Sequence, residues 1–289
     1  MSTSYPTPTT PAPWKPLFAS HLEKIGGALV EFSLATVTDT GLPRVRTCIH
    51  RGFWASLPES PLNKLPQNPK VYESDCPTFT TDARMNKAFD IFATGKGKGN
   101  REQSRSGTGG GGPVEAVYWV KDVMTQWRIR GKCWLISADD VEGGIDAAQN
   151  SGTVSMKAEV GRYMRRVDGN NGSDEGWSYR REVINHFENM SPMMRGLFKN
   201  PPPGEPVNDK SKVGKGEKLG QEAGNLEDED LARSNFRVAV ITPEEVEAVD
   251  LSNPSAGKRW IWTIAKESGE HGGDSSRPVS QWDMVETWP

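Results

Sequence analysis

Thr36–Phe53 reads TVTDTGLPRVRTCIHRGF. Two β-rich runs, Ala28–Thr38 and Pro43–Phe53, flank Asp39-Thr40-Gly41, which is a turn signal, so this stretch predicts a β-hairpin. Successive side chains on a strand point to opposite faces. Val45, Thr47 and Ile49 therefore share one face, and Arg44, Arg46, Cys48 and His50 share the other. Cations repeated along one face repel each other unless an anion neutralises them. The face is either solvated or part of an anion site.

A second segment, Thr78–Ala88 (TFTTDARMNKA), has the form strand, turn, helix. Thr80 and Thr81 end the strand, Asp82 is a candidate helix cap, and Arg84 and Lys87 fall in the first turns. Cations there oppose the helix dipole unless an anion sits at the helix start. Phosphate is the simplest such anion, and ordinary surface residues are the alternative. In a third segment, Gln126–Gly131 (QWRIRG), Gln126, Arg128 and Arg130 alternate with Trp127 and Ile129. An amide and guanidinium groups suit the carbonyls and ring nitrogens of a planar heterocycle.

Around these segments the pattern predicts helices at Trp14–Ile25, Ala83–Ala93, Tyr179–Phe187 and Pro192–Phe198, the last capped by Ser191. Further strands are predicted at Val114–Val120, Gln126–Ser137, Phe236–Ile241, Glu247–Leu251, Arg259–Ile264 and Trp282–Trp288. Many short strands with few helices indicate a mainly β fold, a β-barrel with peripheral α-helices. Residues 1–13 read as a disordered tail. Residues 14–289 read as one domain with flexible insertions at about 95–113, 161–176, 203–230 and 267–278. The run Gly109–Gly112 reads as flexible linker, because it lacks the context of a phosphate-binding loop.

The chain has 289 residues, 35% of them hydrophobic, with a net charge of −3 and a pI near 5.9. That balance gives no global attraction to nucleic acid or an anionic membrane. No run approaches the length of a membrane span, and the N-terminus resembles neither a signal nor a transit peptide. Cys48, Cys76 and Cys133 have no paired spacing, and His21, His50, His186 and His271 are scattered. A metal site is not expected, and a reducing, cytoplasmic location is. Cys48 reads as a structural thiol and His50 as a strand-face histidine.

In order along the chain, A-T-V-x-x-x-G-x-P-x-V-R-T, R-G-F, F-T-T-D-x-R and Q-x-R-I-R-G resemble the pyridoxamine 5′-phosphate oxidase-like family, whose fold is the FMN-binding split barrel. Met190-Ser191-Pro192, Arg195, Phe198 and Pro202-Pro203-Gly204 are similar to one branch of it. Val246-Glu247, Leu251 and Lys258-Arg259-Trp260 resemble its C-terminal strand pair. The resemblance implies FMN as cofactor, held by Arg46, Arg51, Thr80, Thr81, Arg84, Lys87, Gln126 and Arg259, with Lys87 on the phosphate. It also implies a homodimer with the flavin at the interface and a small-molecule substrate.

The chain departs from the family at several positions. Met85 stands where a serine is common, and Val249 where the vitamin B6 oxidases carry a tryptophan. Ser255 and Gly257 occupy the positions of an Arg-x-His pair that holds the substrate phosphate in those oxidases. Their loss removes most charge-assisted binding of a 5′-phosphate. The expected function is therefore a flavin-dependent oxidoreductase with a substrate other than a vitamin B6 phosphate. The alternative is a non-catalytic flavin sensor, carrier or scavenger of the same fold.

Overall fold

The computed structural model describes residues 10–26, 29–95, 104–105, 107–142, 151–167, 176–207, 226–265 and 281–289. Ten strands are present among the described residues: β1 (Glu31–Val37), β2 (Pro43–Phe53), β3 (Tyr72–Ser74), β4 (Pro77–Asp82), β5 (Gly109–Val120), β6 (Thr125–Ile136), β7 (Met164–Arg166), β8 (Phe236–Asp250), β9 (Lys258–Ile264) and β10 (Trp282–Thr287). The helices are α1 (Lys15–Lys24), α2 (Asn86–Ala93), α3 (Ser151–Gly161), α4 (Tyr179–Glu188), α5 (Pro192–Gly196) and α6 (Leu226–Asn235).

The expected hairpin is β1–β2, paired from Glu31–Ile49 to Val37–Pro43. Strand pairing then runs β2–β4–β8–β6–β5–β1, so the antiparallel ladder returns to its start. The interior is filled by alternate residues of these strands, among them Phe32, Leu34, Phe79, Ala116, Tyr118, Trp127 and Ile129. Their partners in the alternation face outward, as the pattern in Gln126–Gly131 predicts. The β9–β10 pair attaches to the C-terminal half of β8. A second apolar cluster, with Trp54, Trp134, Met156, Val183, Phe187 and Phe236, lies under α3 and α4.

Several expectations are corrected. Gly109–Gly112 is not flexible linker. It is the buried start of β5 and lies against α2. A Cβ on Gly112 would sit 2.5 Å from the Ile91 carbonyl oxygen, and one on Gly110 would sit 2.7 Å from Ile91 Cγ2. The glycines give helix and strand room to approach each other. Phe236–Ile241 and Glu247–Leu251 are not separate strands but parts of the single strand β8. Pro243 is accommodated where the β6–β8 register shifts beside Gly131, at a bulge that spares the proline a ladder hydrogen bond.

The N-terminal tail is anchored at its end. Ala12 is buried and its N–H donates to Asp75 Oδ2 at 2.9 Å. Of the insertion at 95–113, residues 96–103 and 106 lie outside the described residues. So do 168–175 of 161–176, 208–225 of 203–230, and all of 267–278. Residues 164–166 form β7 and residues 226–230 open α6, so neither stretch is loop.

Candidate functional site: a cationic cleft at the α2 end of the barrel

Strand β4 ends at Asp82, and the chain turns before α2. Asp82 does not cap that helix. Its Oδ1 accepts from the Arg84 N–H at 2.8 Å, two residues on. The N-cap of α2 is Met85, extended at ψ 149°, with no side-chain cap. The helix therefore starts with uncapped backbone donors at Asn86 and Lys87, and both residues line a cleft of about 420 Å³. Arg44, Val45, Arg46, Pro203 and Gly204 complete its wall.

Lys87 is buried. Its ammonium donates to Thr81 Oγ1 at 3.0 Å and lies 2.7 Å from Met85 Sδ. Among the described residues no carboxylate lies within ion-pair distance of it. Burial pulls its pKa below the ordinary lysine value, and the nearby Arg46 acts in the same direction. An anion in the cleft would reverse both effects.

The repulsion between Arg44 and Arg46 is answered by a residue that the sequence reading missed. Asp90 of α2 is 1% exposed and lies 3.5 Å from Arg46 and 3.8 Å from Arg44. It also accepts from Thr36 Oγ1 at 2.8 Å. Arg46 Nη1 donates to the same threonine oxygen at 2.7 Å and to the Leu34 carbonyl at 3.2 Å. Arg44 and Arg46 thus share one carboxylate while Lys87, among the described residues, pairs with none, which leaves the cleft positive. The signal for Asp90 was a lone acid inside the apolar helix stretch Ala88–Ala93.

The remaining expected site residues go elsewhere. Arg84 does not face the cleft. It grips Asp82 through Nε at 2.9 Å and Nη2 at 2.6 Å. It also donates to the carbonyls of Phe198 and Asn200, each at 2.9 Å. It thereby ties down the segment that carries Pro203 and Gly204 to the cleft. Arg51 stands on the opposite face of β2 from Arg46. Its Nε is buried without a partner, and its closest polar contact is Met194 Sδ at 4.0 Å. Thr80 likewise alternates with Thr81 and faces the other way. Cys48 and His50 point inward. Burial raises the Cys48 thiol above its usual pKa, and burial followed by Arg51 pulls His50 down to about 3. Neither group offers acid–base chemistry to the cleft near neutral pH.

Gln126 and Arg259 meet at a separate place. Arg259 donates to Glu247 Oε2 at 2.6 Å, and Arg128 lies 3.7 Å from the other oxygen of Glu247. The Gln126 amide, with its oxygen turned to Arg128, accepts at 3.0 Å. This cluster lies on the outer face of β6, β8 and β9. Cys133 pairs with Gly112 at the α2 end, and Gln126 is seven residues back along β6. At the usual rise that is roughly 23 Å. In the ring of strands β6 is also three places from β2 by either path. Within one chain, the Gln126–Arg259 cluster and the Arg46–Lys87 cleft are far apart.

Residues 11–137 match the family model of the pyridoxamine 5′-phosphate oxidase FMN-binding domain. Over that segment, which is less than half of its length, the chain is similar to that family. The match takes in Arg46, Arg51, Thr80, Thr81, Arg84, Lys87 and Gln126 but stops short of Arg259. FMN is therefore the cofactor of this domain type, and the positive, partly buried cleft is chemically suited to its phosphate. The chain is 21% identical over 294 residues to the uncharacterized protein YGR017W of Saccharomyces cerevisiae, covering 87% of this chain and 92% of that protein. A crystal structure of a pyridoxamine 5′-phosphate oxidase-related, FMN-binding protein from Nostoc punctiforme superposes with a TM-score of 0.54. It shares 17% identity and covers 97% of this chain and all of its own, a likeness in fold. No described helix is long and apolar enough to cross a membrane.

Proposed function

We propose that this pyridoxamine 5′-phosphate oxidase-like domain is a flavin-dependent oxidoreductase acting on a small molecule. The observation that carries the reading is Lys87, a buried ammonium without a carboxylate, beside two arginines that share one. Lys87, Arg46, Arg44 and the uncapped start of α2 would hold the phosphate of FMN, with Thr81 fixing the ammonium. When bound, FMN supplies two-electron transfer between a reduced donor and an acceptor. The chain's own part is to anchor, orient and partly desolvate it. Arg84 positions the Pro203–Gly204 wall.

The separation of the two clusters supports a homodimer. One flavin reaches both the Arg46–Lys87 cleft and the Gln126–Arg259 cluster only if a second chain contributes one of them. Val45 in the cleft wall is 71% exposed, and Trp119, paired with Gln126, is 47% exposed. Each is an exposed apolar side chain beside one of the two clusters. The three cysteines are free and buried, which suits a reducing compartment such as the cytoplasm.

A second reading, a flavin carrier or sensor without turnover, is favoured by a cleft wall whose described titratable side chains, Arg44, Arg46 and Lys87, are all cations suited to holding an anion. Purified protein should absorb near ~450 nm, bleach anaerobically with NADH or NADPH, and recover on addition of an acceptor with multiple turnovers. A yellow protein that neither bleaches nor turns over selects the carrier. Protein that takes up no FMN sinks both readings.

A further inference from the structure

A cavity of about 320 Å³ lies between the β2–β3 connection and α4 and shares no lining residue with the cationic cleft. Its walls include Leu57, Pro58, Pro69, Tyr72 and Val167, with Glu182 lining it from α4. Glu182 is 3% exposed, and its Oε1 has no hydrogen-bond partner. The other oxygen accepts from Asn68 Nδ2 at 2.7 Å. Asn68 is itself locked to the backbone of Ser178, which it accepts from and donates to at 3.0 Å. The carboxyl group is thus fixed in place by one oxygen while the other is left over.

The charges around it do not supply a partner. Lys70 pairs with Glu59 at 3.3 Å on the exposed rim, and Glu73 pairs with Arg165 at 2.6 Å. Glu182 is left as a buried acid beside a space whose wall is part apolar, at Leu57, Pro58, Pro69 and Tyr72, and part polar, at Glu59, Lys70 and Glu73. The Ala55 amide favours its charge but leaves Oε1 unpartnered. Ala55 itself sits at φ 61°, an uncommon conformation for a residue with a side chain, at the cavity wall. A buried carboxylate without a cation is costly, and the cost is removed by a ligand that brings one.

We infer that this cavity is a binding site for a small organic ammonium compound, its charged nitrogen on Glu182 Oε1 and its apolar body against Leu57, Pro58 and Tyr72. The volume falls within the range of small-molecule sites. An ammonium donor also fits better than a metal ion, since the described residues contain no group of three or more acidic, histidine or cysteine ligands.

The test uses the full-length, flavin-loaded protein and two isosteric probes, 2-phenylethylamine and the neutral 2-phenylethanol, titrated by calorimetry. The amine should bind at least ~10-fold more tightly than the alcohol, as expected of one charge-assisted bond. In E182Q the two affinities should come within about threefold of each other, because the charge-assisted bond is gone. In V167W, which fills the cavity from its exposed rim, both probes should weaken while flavin content stays the same. Failure of the amine to bind, equal affinity for amine and alcohol in the wild type, or a preference that survives in E182Q overturns the inference. Should E182Q fold poorly, the wild-type comparison and V167W decide alone.

Discussion

Replacing Lys87 by methionine separates a ligand-holding cation from a structural one. The ammonium has two neutral contacts, Thr81 Oγ1 and Met85 Sδ, and no ion pair among the described residues. Thr81 Oγ1 also donates to the Asp82 carbonyl at 3.3 Å, so it keeps a partner after the substitution. Removing a buried, unpaired charge of similar side-chain volume should leave the stability of the flavin-free protein within about 1 kcal/mol of wild type, or raise it. Binding should respond the other way. Loss of one charge-assisted bond to the phosphate costs about 1.5–3 kcal/mol, a roughly 10- to 150-fold weaker Kd. Arg46→Met is the counterpart. It strips a nearby cation from Asp90, a buried carboxylate, and should cost about 3 kcal/mol of stability as well as FMN affinity. Urea denaturation of flavin-free protein and quenching of FMN fluorescence on titration measure both quantities. An FMN affinity of K87M within threefold of wild type, or a K87M protein destabilised as much as R46M, would refute the argument.

Other outcomes follow from single contacts. Gly131→Ala would place a Cβ 2.0 Å from the Thr242 carbonyl oxygen, across the β6–β8 ladder, and should cost at least ~3 kcal/mol in chemical denaturation. Arg84→Ala leaves the Asn200 carbonyl unpaired and takes the ion-pair partner from Asp82, while Asn235 still donates to the Phe198 carbonyl; amide exchange over residues 198–204 should quicken and FMN should dissociate faster, although no phosphate contact is lost. Glu182 has a pKa raised by burial from 4.5 to about 7, so between these values the folded state holds its proton more tightly than the unfolded one. Its contribution therefore falls as pH rises from 4.5 to about 7 and stays lost above, by up to about 3 kcal/mol, and the stability difference between wild type and E182Q should follow that course. His186, stacked on Trp54 with both ring nitrogens unpartnered, is pulled down to about 3 by burial and then by Arg51. His186→Phe should raise the melting temperature at pH 7 and reduce the stability lost between pH 6.5 and 3.

The parts legible in the sequence are those where local chemistry and tertiary role agree. The β1–β2 turn, the Ser191 cap and the alternation around Trp127 and Ile129 are read from neighbours a few residues apart. The parts missed depend on distant packing. Gly109–Gly112 looked like entropy, yet it serves as space, because α2 presses on it from fifteen or more residues earlier in the chain. Asp90 takes its role from residues far away in the chain, the two arginines of β2 that draw it inward. Arg84 and Lys87 look equivalent in sequence. The turn before α2 sends one to Asp82 and the 198–200 carbonyls, and the other to the cleft. The alternation on β2 and β4 also divides Arg46 from Arg51 and Thr81 from Thr80, a separation that a motif with all four in one site does not express.

A ring of strands has no loose end from which to unzip, but this one has a thin seam. Between β2 and β4 the register joins His50 to Phe79 and Phe53 to Pro77, with an irregularity between. By contrast, β6 and β8 are joined along nearly their whole lengths. Opening of the ring is expected first where β2 meets β4, the two strands that bring Arg46 and Thr81 to the cleft. The outer β9–β10 ribbon, attached along one edge of β8, is pinned to the ring's interior by Trp262, stacked on Trp127, and by Trp282 against Trp14.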